Sequence, residues 1–310
     1  MSKHLFGLIV TSQGAAANNR GENEGNITTL QKILWNGEVH TTVSAEAIRW
    51  AMRYYWQKEL GADKVNRLWD EKANDHKFQD QKWLAWTDPE GKVKGDHVVY
   101  IDDDVLGFML AEAGKAEGNE EEGGKKKKVK GTCDKRRGPM EVTRALSLTP
   151  FAGDITFNAK SGQKGRTSLY GTEVHATRYQ YGFGLTPESL EVKDHALDVV
   201  DAVVNLSEVA GNQARFLYDF SPDSVIFRWT DDFAPRMLYG FEADGSGLSM
   251  AKVLDRVRAG DIKPGELVVG GSIAQTAQGQ ELKALGASVY PGVKSAADEV
   301  KARLKKHLGS

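Results

Sequence analysis

Asn18-Asn19-Arg20-Gly21-Glu22-Asn23-Glu24-Gly25-Asn26, then His40-Thr41-Thr42-Val43-Ser44-Ala45-Glu46-Ala47-Ile48-Arg49 and Arg53, is the stretch on which the reading of this chain turns. An apolar run, Leu5-Phe6-Gly7-Leu8-Ile9-Val10, comes before it and gives way to Ser12-Gln13-Gly14, which predicts a short buried strand over 5–11. A long polar connection follows. Ser44 has the chemistry of a helix N-cap, with Glu46 in the first turn and Gly61 as the stop. Ile48, Ala51, Met52 and Tyr55 recur at i, i+3, i+4 and i+7 and form one apolar stripe. Arg49 and Arg53 lie four apart on another face. A loop of open amides and Asn side chains beside two arginines suits a polyanion. The same arginines could also be solvated or pair with Glu46.

Composition narrows the classes. With 310 residues the chain can form one large domain or two ordinary ones. Hydrophobic residues at 40% and charged residues at 27% are ordinary for a globular protein. A net charge of −2 excludes a uniformly basic binder, so any nucleic-acid contact must come from local basic surface. The run from Leu5 to Val10 is too short for a signal-peptide core or a membrane span, which predicts a cytoplasmic protein without a membrane partner. Cys133 is the only cysteine, which leaves no intrachain disulfide and no cysteine zinc cluster.

From about 62 to 138 the character changes. Trp69, Trp83 and Trp86 sit among charges, Asp102-Asp103-Asp104 opens a predicted helix over 102–113, and residues 115–138 form a charged loop that switches from Glu120-Glu121-Glu122 to Lys125-Lys126-Lys127-Lys128. The region reads as an insertion into a domain formed by 1–61 and 139–310. The resumed part shows strands over 142–148 and 172–183, flanking a basic excursion with Lys160, Lys164 and Arg166. A helix over 194–209, a hairpin of 216–220 with 225–230, a helix over 249–259, a strand over 266–270 and a basic helix over 296–308 follow. Without its insertion the order is β-α-β-β-α-β with additions, an α+β pattern that suits a ferredoxin-like or RNA-recognition-type core.

Tests for catalytic chemistry give little. Gly162-Gln163-Lys164-Gly165-Arg166-Thr167-Ser168 lacks phosphate-loop spacing, and Gly182-Phe183-Gly184 does not open a βαβ unit. Gly245-Ser246-Gly247 reads as a helix-entry turn. The seven histidines are scattered, and three successive aspartates at a helix start suit capping better than a metal. No nucleophile elbow exists. The sequence points to no catalytic residue, no metal and no cofactor.

The residues carry a resemblance. The strand, the Asn19-Arg20-Gly21-Glu22…Gly25-Asn26 loop and the helix start Val43-Ser44-x-x-Ala47-Ile48-Arg49-x-Ala51-x-Arg53 together resemble the DevR-like branch of the CRISPR-associated backbone subunits. This is the "Cas-seven" family of the RAMP superfamily, and the resemblance implies a type I Cascade effector complex, with I-B the expected subtype. Leu148-Thr149-Pro150-Phe151-Ala152-Gly153-Asp154, His175-Ala176-Thr177-Arg178-Tyr179-Gln180-Tyr181 and Gly211-Asn212-Gln213-Ala214-Arg215 extend the likeness over most of the chain apart from the insertion.

The resemblance implies a ferredoxin-like, RRM-type palm (1–61 and 139–310), an inserted helical fingers region (62–138) and a protruding thumb hairpin near 154–171. Copies would stack along one guide RNA (crRNA) and support recognition of the target DNA strand paired to it. Their partners would be other copies and the remaining Cascade subunits: the guide 5′-end-binding subunit, the large subunit, the small subunits and the guide-processing RAMP endoribonuclease. Ser44, Arg49 and Arg53 occupy the places of the family's guide-gripping serine and basic residues. Asn18, Asn19, Arg20 and Asn26 supply the loop, and Lys160, Lys164 and Arg166 are assigned to the thumb from charge and position. Related type III subunits cut RNA with an aspartate before the first palm helix, and Asn36-Gly37-Glu38-Val39-His40-Thr41-Thr42 has none. The alternative is a metal-dependent RAMP endoribonuclease that processes CRISPR RNA with His40 or His175 as general base.

Overall fold

Strand β1 (His4–Thr11) lies inside a nine-stranded sheet and is buried along its whole length, which is why its apolar residues run without alternation. The computed structural model describes residues 2–17, 23–87, 97–111, 133–159, 169–209, 218–245 and 247–309. In chain order the main elements after β1 are β2 (Lys32–Trp35), β3 (Glu38–Val43), α1 (Ala45–Glu59), α2 (Ile101–Leu106), β4 (Met140–Val142), β5 (Ala145–Ser147) and β6 (Tyr179–Leu185). Then come α3 (His195–Asn205), β7 (Pro222–Thr230), α4 (Ala251–Arg258), β8 (Leu267–Gly271), α5 (Ala277–Ala284), β9 (Ser288–Tyr290) and α6 (Val293–Leu308). The molecule is a mixed α/β protein.

The sheet order is β9-β8-β7-β1-β6-β5-β3-β2, with β4 also pairing with β6. All these pairs are antiparallel except β8 with β9, which α5 connects. Leu5 and Ile9 face a core shared with Phe183, Phe227 and helices α1, α3 and α6. Phe6, Leu8 and Val10 face the other side, against Val253 and Leu254 of α4 and Leu282 of α5. Gly7 pairs directly with Phe183, and a Cβ at Gly7 would stand 2.1 Å from that ring, so the aromatic fills the place a side chain would take.

Several expectations are corrected. The polar connection contains the β2–β3 hairpin, turned by Asn36 and Gly37, both at positive φ. The strand over 142–148 is broken into β4 and β5. The strand over 172–183 is two strands, Leu169–Thr177 and β6, which separate at Arg178 into different sheets. The hairpin over 216–230 is absent among the described residues. Instead β7 runs between β1 and β8, while 210–217 lie outside the description. The helix over 102–113 ends at Leu106, where Gly107 takes φ 72, and a strand, Gly107–Ala111, pairs with Cys133–Arg137. The expected charged loop therefore gives way to a strand at Cys133, and 112–132 lie outside the description. The described part of 62–138 thus holds two hairpins, this one and Arg67–Asp70 with Asp75–Phe78, beside short helical segments. Trp56, not Tyr55, completes the buried stripe of α1, and its indole donates to the Asp198 carbonyl of α3 at 3.1 Å.

Candidate nucleic-acid interface

Ile155–Ala159 and Leu169–Thr177 pair as an antiparallel ribbon. Gly14–Ala17 pairs with one end of the longer strand, and Ile27–Thr28 runs parallel to its middle. The fold therefore joins the two polar, glycine-rich segments of the sequence in one small sheet. Asn26 is exposed there, and its carbonyl accepts from the Gly171 amide at 2.8 Å. Asn18, Asn19 and Arg20, and likewise Lys160, Lys164 and Arg166, lie outside the described residues. One ribbon face carries Ile155, Phe157 and Leu169, all exposed, with Phe157 79% exposed opposite Gly171. An aromatic ring left in water on a polar ribbon is unusual for a monomer and suits stacking or docking.

The root of the ribbon is a buried polar cluster. His175 Nδ1 meets Thr41 Oγ1 at 2.7 Å, and Thr41 also meets the Tyr179 hydroxyl at 2.8 Å. His40 Nδ1 meets the Ser147 carbonyl at 2.8 Å, and Thr149 and Thr177 share a hydrogen bond at 2.8 Å. Burial pushes the His175 imidazole below its ordinary value. Both histidines are buried and hydrogen-bonded to internal partners. The cluster's physical role is to fix the angle at which the ribbon leaves the main sheet.

Helix α1 begins as expected. Ser44 caps it, its hydroxyl accepting from the Ala47 amide at 3.1 Å, an arrangement that contributes about 1 kcal/mol. The arginines correct the expectation of an outward basic face. Arg49 donates to the Leu106 carbonyl of α2. Arg53 is 17% exposed and lies 3.8 Å from Asp102, and its buried Nε has no hydrogen-bond partner. Burial lowers the Arg53 guanidinium to about 10, with Asp102 acting against that shift. Both arginines turn toward helix α2.

Asp102, Asp103 and Asp104 are the other half of that joint, and all three are buried. Asp102 accepts from the backbone amides of Asn66 and Arg67. Asp103 accepts from the Asn66 side chain and the Trp83 indole, each at 2.8 Å. Burial first, then the Asp102 charge, pushes Asp103 up to about 7. Asp104 binds Arg136 at 2.7 Å, His195 at 3.0 Å and the amides of Glu191 and Val192. Burial alone would raise Asp104, but those partners outweigh it and leave the group lowered. They tie together segments far apart in the chain: Asp103 holds Asn66 and Trp83, Asp102 lies beside Arg53 of α1, and Asp104 reaches Glu191, Val192 and His195. Among the described residues no group of three or more His, Cys, Asp or Glu is placed to hold a metal ion, and no helix is long and apolar enough to cross a membrane.

Comparison with known proteins gives the chain's relatives. The sequence model of a family described as "CRISPR-associated negative auto-regulator DevR/Csa2" matches residues 7–307. A protein of Myxococcus xanthus (strain DK1622) described as "CRISPR-associated protein Cas7/Cst2/DevR" is 46% identical over 307 residues, which is 96% of each chain. Two solved structures share the fold. A chain of a "CRISPR RNA-guided surveillance complex" matches with TM-score 0.55 and 14% identity over 97% of this chain and 99% of its own. A chain of a "CRISPR RNA-guided surveillance complex, pre-nicking" matches with TM-score 0.58 and 14% identity over 96% of this chain and 99% of its own.

Proposed function

The chain belongs to the DevR/Csa2 family of CRISPR-associated proteins, and we propose that it is a non-enzymatic, guide-RNA-binding backbone subunit of a type I CRISPR effector complex. Copies polymerise along the guide and support target-DNA recognition. The observation that carries this reading is the shared small sheet, in which the strand Leu169–Thr177 pairs with strands flanking both polyanion-suited segments. Grip without base readout is what such a subunit needs, because sequence is read by guide–target pairing. Backbone amides, Asn side chains and cations supply that grip.

The order β7-β1-β6-β5, with α1 and α3 packed on one face, supports the ferredoxin-like palm. On this reading residues 62–138 are the fingers and the ribbon near 154–171 is the thumb. Asn18, Asn19, Arg20, Asn26, Lys160, Lys164 and Arg166 are proposed as guide contacts from their residue types, while Arg49 and Arg53 act indirectly through helix α2. The sealed state of His40 and His175 supports a binding role over cleavage.

Co-expression with a CRISPR repeat–spacer RNA and the partner subunits tests this. The expected outcome is RNA-bound assemblies whose mass grows with RNA length, together with intact repeat RNA whether or not a chelator is present. A chain that stays monomeric and free of nucleic acid would overturn the proposal.

A further inference from the structure

With Arg49 and Arg53 turned inward, another guanidinium is left facing outward at the start of α1. Arg144 links β4 to β5. The β3–β5 register pairs Val43 with Ala145 and Thr42 with Leu146, and its continuation sets Arg144 across from Ser44. The side chain is exposed, and its Nη1 donates to Thr42 Oγ1 at 3.2 Å and to Gln31 Oε1 at 3.3 Å. Both partners are neutral, and among the described residues Arg144 has no carboxylate partner. Nearby cations differ. Lys32 is bound to Glu173 at 2.6 Å, and Arg178 lies 3.6 Å from Asp223.

The backbone under Arg144 is fixed from two sides. The Thr143 amide donates to the Gly182 carbonyl at 2.8 Å, and the Tyr239 hydroxyl donates to the Arg144 carbonyl at 2.9 Å. Neutral acceptors orient a guanidinium without cancelling its charge, and a fork with five N–H donors retains some for an external anion. The positive end of α1 lies alongside, which favours the same ligand.

We propose that Arg144 is the outward anion contact at the start of α1 and that its ligand is a backbone phosphate of the bound RNA, an assignment that rests on the RNA-binding reading above. A phosphate is favoured over a neighbouring subunit's carboxylate because Ser44 and the first amides of α1, across the register from Arg144, offer donors to the same kind of oxygen-rich, sequence-indifferent ligand.

Arg144→Gln keeps an amide donor and removes the charge. The full chain and this variant are compared on a short unstructured RNA that accommodates a single copy, over a range of salt. The expected result is weaker binding at low salt and a slope of log affinity against log salt shallower by about 0.7, one single-strand phosphate, with an unchanged melting temperature. An unchanged slope overturns the assignment. So does an unchanged slope combined with lost assembly on long RNA, which would give Arg144 to a subunit carboxylate instead. A wild-type chain that binds no RNA overturns the functional reading itself.

Discussion

Replacing Asp103 by Asn should change how stability depends on pH, and the buried cluster of Asp102, Asp103, Asn66 and Trp83 sets the size of the change. Asp103 is 5% exposed, and Asp102 stands beside it with Arg53 3.8 Å beyond. Burial and the Asp102 charge raise Asp103 from 3.8 to about 7. The native state then keeps this proton up to about pH 7, whereas the unfolded chain releases it near its ordinary value. Between those two values the native state binds more protons, so stability falls as pH rises, by about 1.4 kcal/mol per pH unit. The contribution is complete below the unfolded value and is lost as pH climbs through about 7. From about pH 5.5 to about pH 8 the loss is about 2 kcal/mol.

The Asn side chain does not titrate. It has one acceptor oxygen where the carboxylate offers two, one to Trp83 and one to Asn66, which costs about 1 kcal/mol at every pH. Urea unfolding of both proteins across that range should therefore show the variant weaker at low pH and overtaking the wild type above neutrality. Amide exchange at Asn66 and Arg67, whose N–H groups sit on Asp102, localises the effect to the joint. Parallel pH profiles for the two proteins would refute the reasoning, because they would mean that Asp103 is ionised throughout.

Other outcomes follow from the same geometry. Arg53→Met should lower the urea midpoint by an amount equivalent to about 3 kcal/mol, because it leaves Asp102 a buried carboxylate without its cation. Trp56→Ala should cost about 3–5 kcal/mol through the cavity between α1 and α3, measured in the same way. Phe157→Ser, at an exposed position, should leave the melting temperature within about 1 °C while reducing assembly on RNA in sedimentation. Thr41→Val should leave His175 and the Tyr179 hydroxyl short of a partner, seen as faster proteolysis of the ribbon before global unfolding.

What could be read in advance depended on how local the cause was. Ser44, Glu46 and Gly61 bounded α1 closely, because caps act within one turn. Asn36-Gly37 between Trp35 and Glu38 is an equally local hairpin signal, since the pair is suited to a turn with two positive φ angles. The direction of Arg53 could not be read from α1 alone. Its partner, Asp102, belongs to the far side of the insertion, and nothing in helical spacing marks a cation for burial. The aspartate run misled for the same reason. Three acidic residues at a helix start satisfy the dipole locally, while the donors that claim them come from Asn66, Trp83, Arg136 and His195. Arg144 carried no sequence signal, since its significance lies in having neutral rather than acidic neighbours across a strand pair.

These contacts also make α1 a mechanical link. Within one continuous stretch, Thr41 bonds His175 at the ribbon root, Ser44 caps the helix, Arg49 holds the Leu106 carbonyl and Arg53 faces Asp102. The ribbon, the main sheet and helix α2 are therefore all contacted from one continuous stretch, the end of β3 running directly into the fifteen-residue helix α1. A packed helix transmits displacement rather than absorbing it. Loosening the Asp102–Asp103 joint should thus shift the insertion relative to the Ser44 end without unfolding either. A spin-label pair, one label on the insertion at Lys77 and one on the ribbon at Thr156, would read this as a broadened distance distribution in Asp103→Asn at low pH. A distribution identical to that of the wild type, despite the stability change, would show that the joint governs stability alone.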